Sequence, residues 1–117
     1  MNWFVAKVVY QIICGSGNHT PQFDEQIRLI SAGTKKDALA KAHEIGMQEQ
    51  YAFKNHQEEL VQWKFINVPE IYTLSDLTDG MEVYSRIEEP GDPKSYVAWL
   101  QTKSAQLQEH PLAELHN

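Results

Sequence analysis

The sequence predicts an α+β fold: a single domain with an antiparallel sheet of about five strands and its helices packed on one face. Three observations carry this. Apolar residues alternate with a period of two in several separate segments, two other stretches switch to helical spacing, and the connections between them are short. The resulting order, β-β-α-β-β-β-α, lacks the strict strand–helix alternation that builds parallel sheets. The domain spans residues 1–108, and 109–117 reads as a flexible tail.

Trp3 to Cys14 is the first strand, with Val5, Val9 and Ile13 on one parity and Phe4, Ala6, Val8, Tyr10 and Ile12 on the other. Both faces are partly apolar, which places this strand centrally. Gly15-Ser16-Gly17-Asn18-His19-Thr20-Pro21 is a turn-rich loop, and Phe23 to Ala32 resumes alternation to complete a hairpin. Thr34, followed three residues later by Asp37, starts a helix in the manner of a capping box. Ala38, Leu39, Ala42, Ile45, Ala52 and Phe53 lie on one side of that helix, which is expected to run to about Phe53. Ala38, Ala42 and Gly46 form a row of small residues that lets its backbone approach the sheet. Leu60 to Ile66 alternates again, with Val61, Trp63 and Phe65 on one face, until Pro69 imposes an edge, a bend or a bulge before Ile71 and Tyr72. Asp79-Gly80 marks a turn into a last strand over Met81 to Glu88, where Met81, Val83, Ser85 and Ile87 alternate with Glu82, Tyr84, Arg86 and Glu88. Asp92-Pro93 caps a second helix, about Pro93 to Gln108, whose Tyr96, Trp99, Leu100, Lys103 and Leu107 line one side.

With these elements placed, Trp3-Phe4-Val5-Ala6-Lys7, Ala32 with Asp37-Ala38 and Lys41-Ala42, Trp63-Lys64-Phe65-Ile66-Asn67-Val68, and Asp79-Gly80-Met81-Glu82-Val83-Tyr84-Ser85 make the chain resemble domain of unknown function 4288. The resemblance covers roughly residues 3 to 88 and leaves the second helix and tail outside it. It implies a small bacterial protein and supplies no catalytic residues, its motifs being mostly aromatic and small positions suited to a core.

Composition narrows the function classes. With 117 residues, 42% apolar and 22% charged, the chain sits in the ordinary globular range. No apolar run spans a bilayer, no signal peptide is read, and the lone Cys14 fits a reducing compartment, so a cytoplasmic protein without membrane contact is expected. Sixteen carboxylates against ten Lys and Arg, a net charge of −6, disfavour nucleic acid. The acids are uneven: Glu70, Asp76, Asp79, Glu82, Glu88, Glu89 and Asp92 share their segment with one base, Arg86, which points to a basic partner.

Chemistry-bearing residues are scattered. His19, His43, His56, His110 and His116 show no zinc spacing, so no metal and no cofactor are expected. Cys14 with His19 in the adjoining loop is a nucleophile–base arrangement, set against the commoner role of such a cysteine as a small core residue. Gly15-Ser16-Gly17 precedes a strand where a phosphate cradle needs a helix. Asp76, Asp79 and Glu82 lack the alternate-residue acids of a calcium loop and read as a solvated turn. Trp63 and Phe65 read as core rather than base-stacking platforms, and Glu82 with Glu88, on one expected strand face, lack a neighbouring nucleophile.

The expectation is a non-enzymatic interaction domain, self-associating as a homodimer or docking a basic protein. Its surface comprises Asp76, Asp79 and Glu82 together with Tyr96, Trp99, Leu100 and Leu107. Two alternatives stand beside it: a small-molecule binder or minor enzyme with a pocket between sheet and helix, and an immunity-type inhibitor of a basic toxin.

Overall fold

The computed structural model describes residues 1–109, and of the expected tail only Glu109, the last residue of a helix, falls within them. The chain divides into two compact units, Met1–Tyr84 and Ser85–Asn117, each described by itself.

In the first unit the order is β1 (Asn2–Cys14), β2 (Gln22–Ala32), α1 (Lys35–Gln48), β3 (Tyr51–Lys54) and β4 (Leu60–Leu74). The strands make one antiparallel sheet in the order β2-β1-β4-β3. The α+β class holds with four strands instead of about five.

Three local departures account for the difference. First, α1 ends at Gln48 rather than near Phe53, and Tyr51–Lys54 becomes β3. Ala52 and Phe53 suit a helix stripe and a strand equally, and the long-range pairing of Tyr51 with Trp63 and Phe53 with Val61 decides for the strand. Asn55 makes the return possible, its Oδ1 accepting from the amides of Gln57 at 2.9 Å and Glu59 at 3.0 Å while Glu58 adopts a φ of 63°. Second, the segments on either side of Pro69 are one strand, β4, carrying two bulges. Third, Met81 to Glu88 joins no ladder; it is irregular backbone, so Glu82 and Glu88 share no strand face.

The bulges set which β4 residues reach the core. Tyr10 opposes Phe65, Val9 opposes Asn67 and Lys7 opposes Glu70, with register shifts on both sides of Val9. Each shift inserts one extra residue and reverses the side-chain parity. Odd-numbered Trp63 and Phe65 therefore face α1, even-numbered Val68 does so between the bulges, and odd-numbered Ile71 does so beyond them. Pro69 occupies the unpaired stretch between Glu70 and Asn67, where its missing N–H costs no ladder bond.

The core lies between α1 and one sheet face. Phe4, Ala6, Val8 and Tyr10 of β1, Ile30 and Ala32 of β2, and Val68 of β4 are buried there with Ala38 and Ala42 of α1. Thr34 caps the helix, its Oγ1 accepting from the Asp37 amide at 3.1 Å. Small residues bring the helix down onto the sheet. At Gly46 the approach is so close that a Cβ would lie 2.3 Å from Phe65 Cε1. Tyr10 donates its buried hydroxyl to the Gly46 carbonyl at 2.9 Å, fixing the same contact.

The second unit contains α2 (Pro93–Glu109). Asp92 caps it, accepting from the Ser95 amide at 3.2 Å and hydroxyl at 2.7 Å, and these bonds hold its carboxyl below the usual range. No helix among the described residues is long and apolar enough to cross a membrane.

Candidate functional site

The sheet face turned away from α1 holds a charge in its middle. Antiparallel partners share a face, so Val5 with Leu29 and Tyr72, and Lys7 with Ile27 and Glu70, all belong to it. Val5 is 1% exposed and Lys7 8%. Burying an ammonium costs several kcal/mol unless it is paired and hydrogen-bonded. Lys7 Nζ meets Glu70 Oε2 at 2.9 Å and Glu25 Oε1 at 3.2 Å, and it lies over the Tyr84 ring, 5.4 Å from the centroid. Glu70 in turn accepts from the hydroxyls of Tyr72 at 2.8 Å and Tyr84 at 3.4 Å, and the two tyrosine rings meet edge to face.

Protonation states follow from this geometry. The hydrogen bond to Glu70, then Tyr84 and Glu25, raise the Lys7 pKa against the desolvation that would lower it. Glu70 is held below the usual carboxyl range, first by Lys7 and then by the Tyr72 hydroxyl, and the hydrogen bond that Tyr72 donates to it holds the Tyr72 hydroxyl above its ordinary range. A nucleophilic lysine needs a depressed pKa, the opposite of what this cluster imposes. The cluster acts instead as a bolt: it fastens Tyr84, at the end of the irregular segment following β4, onto the sheet.

Around the bolt the face is apolar and open. Trp3, Ile27 and Tyr72 are exposed, as are Leu29 and Phe23 at 50% and 56%. Asp76, Asp79 and Glu82 are solvated on the segment between β4 and Tyr84, which turns at Gly80 with a φ of 81°. These three acids therefore share one short segment. Tyr96, Trp99, Leu100 and Leu107 lie on α2 in the second unit. There Tyr96 and Trp99 are 6.4 Å apart, Lys103 Nζ sits 5.6 Å from the Trp99 centroid, and Trp99, Leu100 and Leu107 are exposed.

Lys7, Glu25, Glu70, Tyr72 and Tyr84 were not singled out as a group by sequence reasoning. The available signal was a lysine inside an otherwise apolar strand.

The remaining candidates resolve differently. His19 Nε2 accepts from the Cys14 amide at 3.0 Å and its Nδ1 contacts the Thr20 carbonyl at 2.9 Å, so the ring braces the loop instead of activating the thiol. The Cys14 sulfur has the Glu59 carboxylate at 4.0 Å and the Asn55 amide at 3.8 Å. Among the described residues no group of three or more His, Cys, Asp and Glu is arranged to hold a metal ion. Phe65 packs on Tyr10 and His43, as a core aromatic does, whereas Trp63 stacks on Tyr51 at 4.9 Å and donates to Asp24 at 3.1 Å. A recess of about 290 Å³ lined by Gln50, Tyr51, Ala52, Gln62 and Trp63 lies at the β3–β4 edge, and another of about 390 Å³ lies along the start of α2. Neither lies between α1 and the sheet, where the small-molecule alternative needs its pocket.

A family model described as Domain of unknown function (DUF4288) matches residues 3–85. No curated protein and no solved structure matches the chain.

Proposed function

We propose that this chain, which belongs to the Domain of unknown function (DUF4288) family, is a non-enzymatic interaction domain that docks a basic, amphipathic protein segment on the sheet face opposite α1. One observation carries the reading: exposed Phe23, Ile27, Leu29 and Tyr72 surround a lysine whose charge is already neutralised by Glu25 and Glu70. Around Lys7 the face therefore offers apolar area and a charge that is already paired, with Lys64 farther along it opposite Gln11, while Asp76, Asp79 and Glu82 add negative charge on the segment that ends at Tyr84. Apolar side chains of a partner would bury against β2, and its basic residues would be steered by the acids. A cytoplasmic setting fits such a module.

Titration with a designed basic amphipathic helical peptide, and with its acidic counterpart, tests this. The basic peptide should bind with an affinity that falls as salt rises, and the variant Asp76→Asn/Asp79→Asn/Glu82→Gln should bind it several-fold more weakly. Leu29→Ser should weaken it as well. Equal binding of both peptides, or of neither, overturns the reading. Stoichiometric zinc in the purified protein, or salt-sensitive binding to DNA or RNA, would redirect it to another class.

A further inference from the structure

The two ends of the sheet are unlike each other. The β3 edge is four residues long, whereas β2 presents eleven residues in unbroken register with β1 and no strand beyond it among the described residues. Long free edges are normally blunted by proline, bulges, inward charges or lysine. Gln22–Ala32 contains no proline, glycine or lysine and its pairing shows no bulge, and its charges on the α1 face, Asp24 and Arg28, are of opposite sign.

The side chains of this edge are also self-complementary. On the α1 face Asp24, Gln26 and Arg28 run in sequence, with Gln26 donating to Asp24 at 2.7 Å and accepting from Arg28 at 2.8 and 3.1 Å. We infer that β2 pairs antiparallel with β2 of a second copy, centred on Gln26, so that two sheets join into one of eight strands. A two-fold axis through that point sets Asp24 of each copy opposite Arg28 of the other and Gln26 opposite itself. On the other face it sets Phe23 of each copy beside Leu29 of the other, extending the apolar face across the joined sheet. Glu25 comes opposite Ile27, and its carboxylate is already directed to Lys7 within its own chain. Shifting the centre to Ile27 would lose both charge pairs, placing Asp24 against Ile30. The span used is Gln22–Ile30, and Lys41 Nζ, which donates to the Ser31 carbonyl at 3.0 Å, falls outside it.

This pairing rests on the reading of the chain as an interaction domain, yet it uses the strand edge, so the two can fail separately. Sedimentation velocity at high micromolar concentration should show the full chain as a dimer. Asp24→Arg and Arg28→Asp each set like charges opposite one another and should weaken the dimer about tenfold or more. An equimolar mixture of the two variants restores both pairs and should recover a heterodimer, which a purely intramolecular role for these residues would not produce. Register is tested independently by mild oxidation: Gln26→Cys should cross-link to its own copy much faster than Ile27→Cys, since only residue 26 faces itself. A monomeric parent, a mixture that stays monomeric while both variants fold, or equal cross-linking at 26 and 27 overturns the inference. A dimer that ignores the basic peptide would leave the edge pairing standing and remove the docking reading.

Discussion

Gly46→Ala tests the helix–sheet contact most directly, because two opposing effects of known size meet at one atom. Replacing glycine by alanine inside a helix ordinarily stabilises by about 1 kcal/mol. Here the new methyl would stand 2.3, 2.6 and 2.8 Å from three carbons of the Phe65 ring, where carbon atoms pack best at about 3.5 to 4.0 Å. The ring is held between Tyr10 and His43, with centroids at 5.9 and 5.8 Å, so it cannot swing aside freely. Moving α1 outward instead would stretch the bond from the Tyr10 hydroxyl to the Gly46 carbonyl. Overpacking of this kind costs roughly 1–3 kcal/mol, and the extent of the overlap places it at the upper end. The net loss is about 2 kcal/mol, or a drop in Tm of roughly 8–16 °C for a unit of this size. Thermal unfolding followed by circular dichroism measures it. Adding Phe65→Leu removes the clashing carbons, so that change should cost less in the Gly46→Ala background than in the parent, a coupling read from the double-mutant cycle. An unchanged or higher Tm for Gly46→Ala would refute the contact.

Ala42→Asp buries an unpaired carboxylate in the core and should cost about 3–5 kcal/mol, so a denaturant midpoint equal to the parent's would show that Ala42 does not face the sheet. Thr34→Ala removes the acceptor for the Asp37 amide and should cost about 1 kcal/mol by urea unfolding, with Thr34→Ser recovering most of it. Lys7→Met should cost roughly 1.5–3 kcal/mol at neutral pH through lost charge-assisted hydrogen bonds. The cluster also predicts a pH profile. Because the Glu70 pKa is lowered, its contribution is present above the ordinary value of 4.5 and disappears as pH falls through the folded value. Because the Lys7 pKa is raised, its contribution is complete below 10.5 and disappears as pH rises through the folded value. Lys7→Met should therefore flatten the acid limb of a stability–pH curve, and superimposable curves would show that the ion pair contributes nothing.

What could be read from the residues follows from the range of the interactions involved. The start of α1 at Thr34, its buried row of Ala38, Ala42 and Gly46, and the cap at Asp92 depend on neighbours a few positions away, and the structure has all of them. The end of α1 does not: Tyr51 leaves the helix pattern because it stacks on Trp63, a partner that no local period reveals. Alternation over Met81–Glu88 has the period of a strand, but alternation is only a pattern of faces, and a strand also needs a ladder to join. The site followed the same division. Asp76, Asp79 and Glu82 were legible as an exposed acidic turn from local composition. Lys7 could be matched to Glu70 only through a register crossing two bulges, and to Tyr84 only through the path of an irregular segment.

The paired bulges in β4 are the two places where that strand can lose a residue without turning over. Deleting Pro69 would straighten one bulge and leave the run beyond it in place, Glu70 still opposite Lys7 and Ile71 still opposite Ala6. Deleting Ile66 would straighten the other bulge in the same way, whereas a deletion elsewhere in the strand has no extra residue to absorb it and turns over the residues beyond. Within the family, single-residue length changes in this strand should therefore fall at the bulges and spare the pairs on either side.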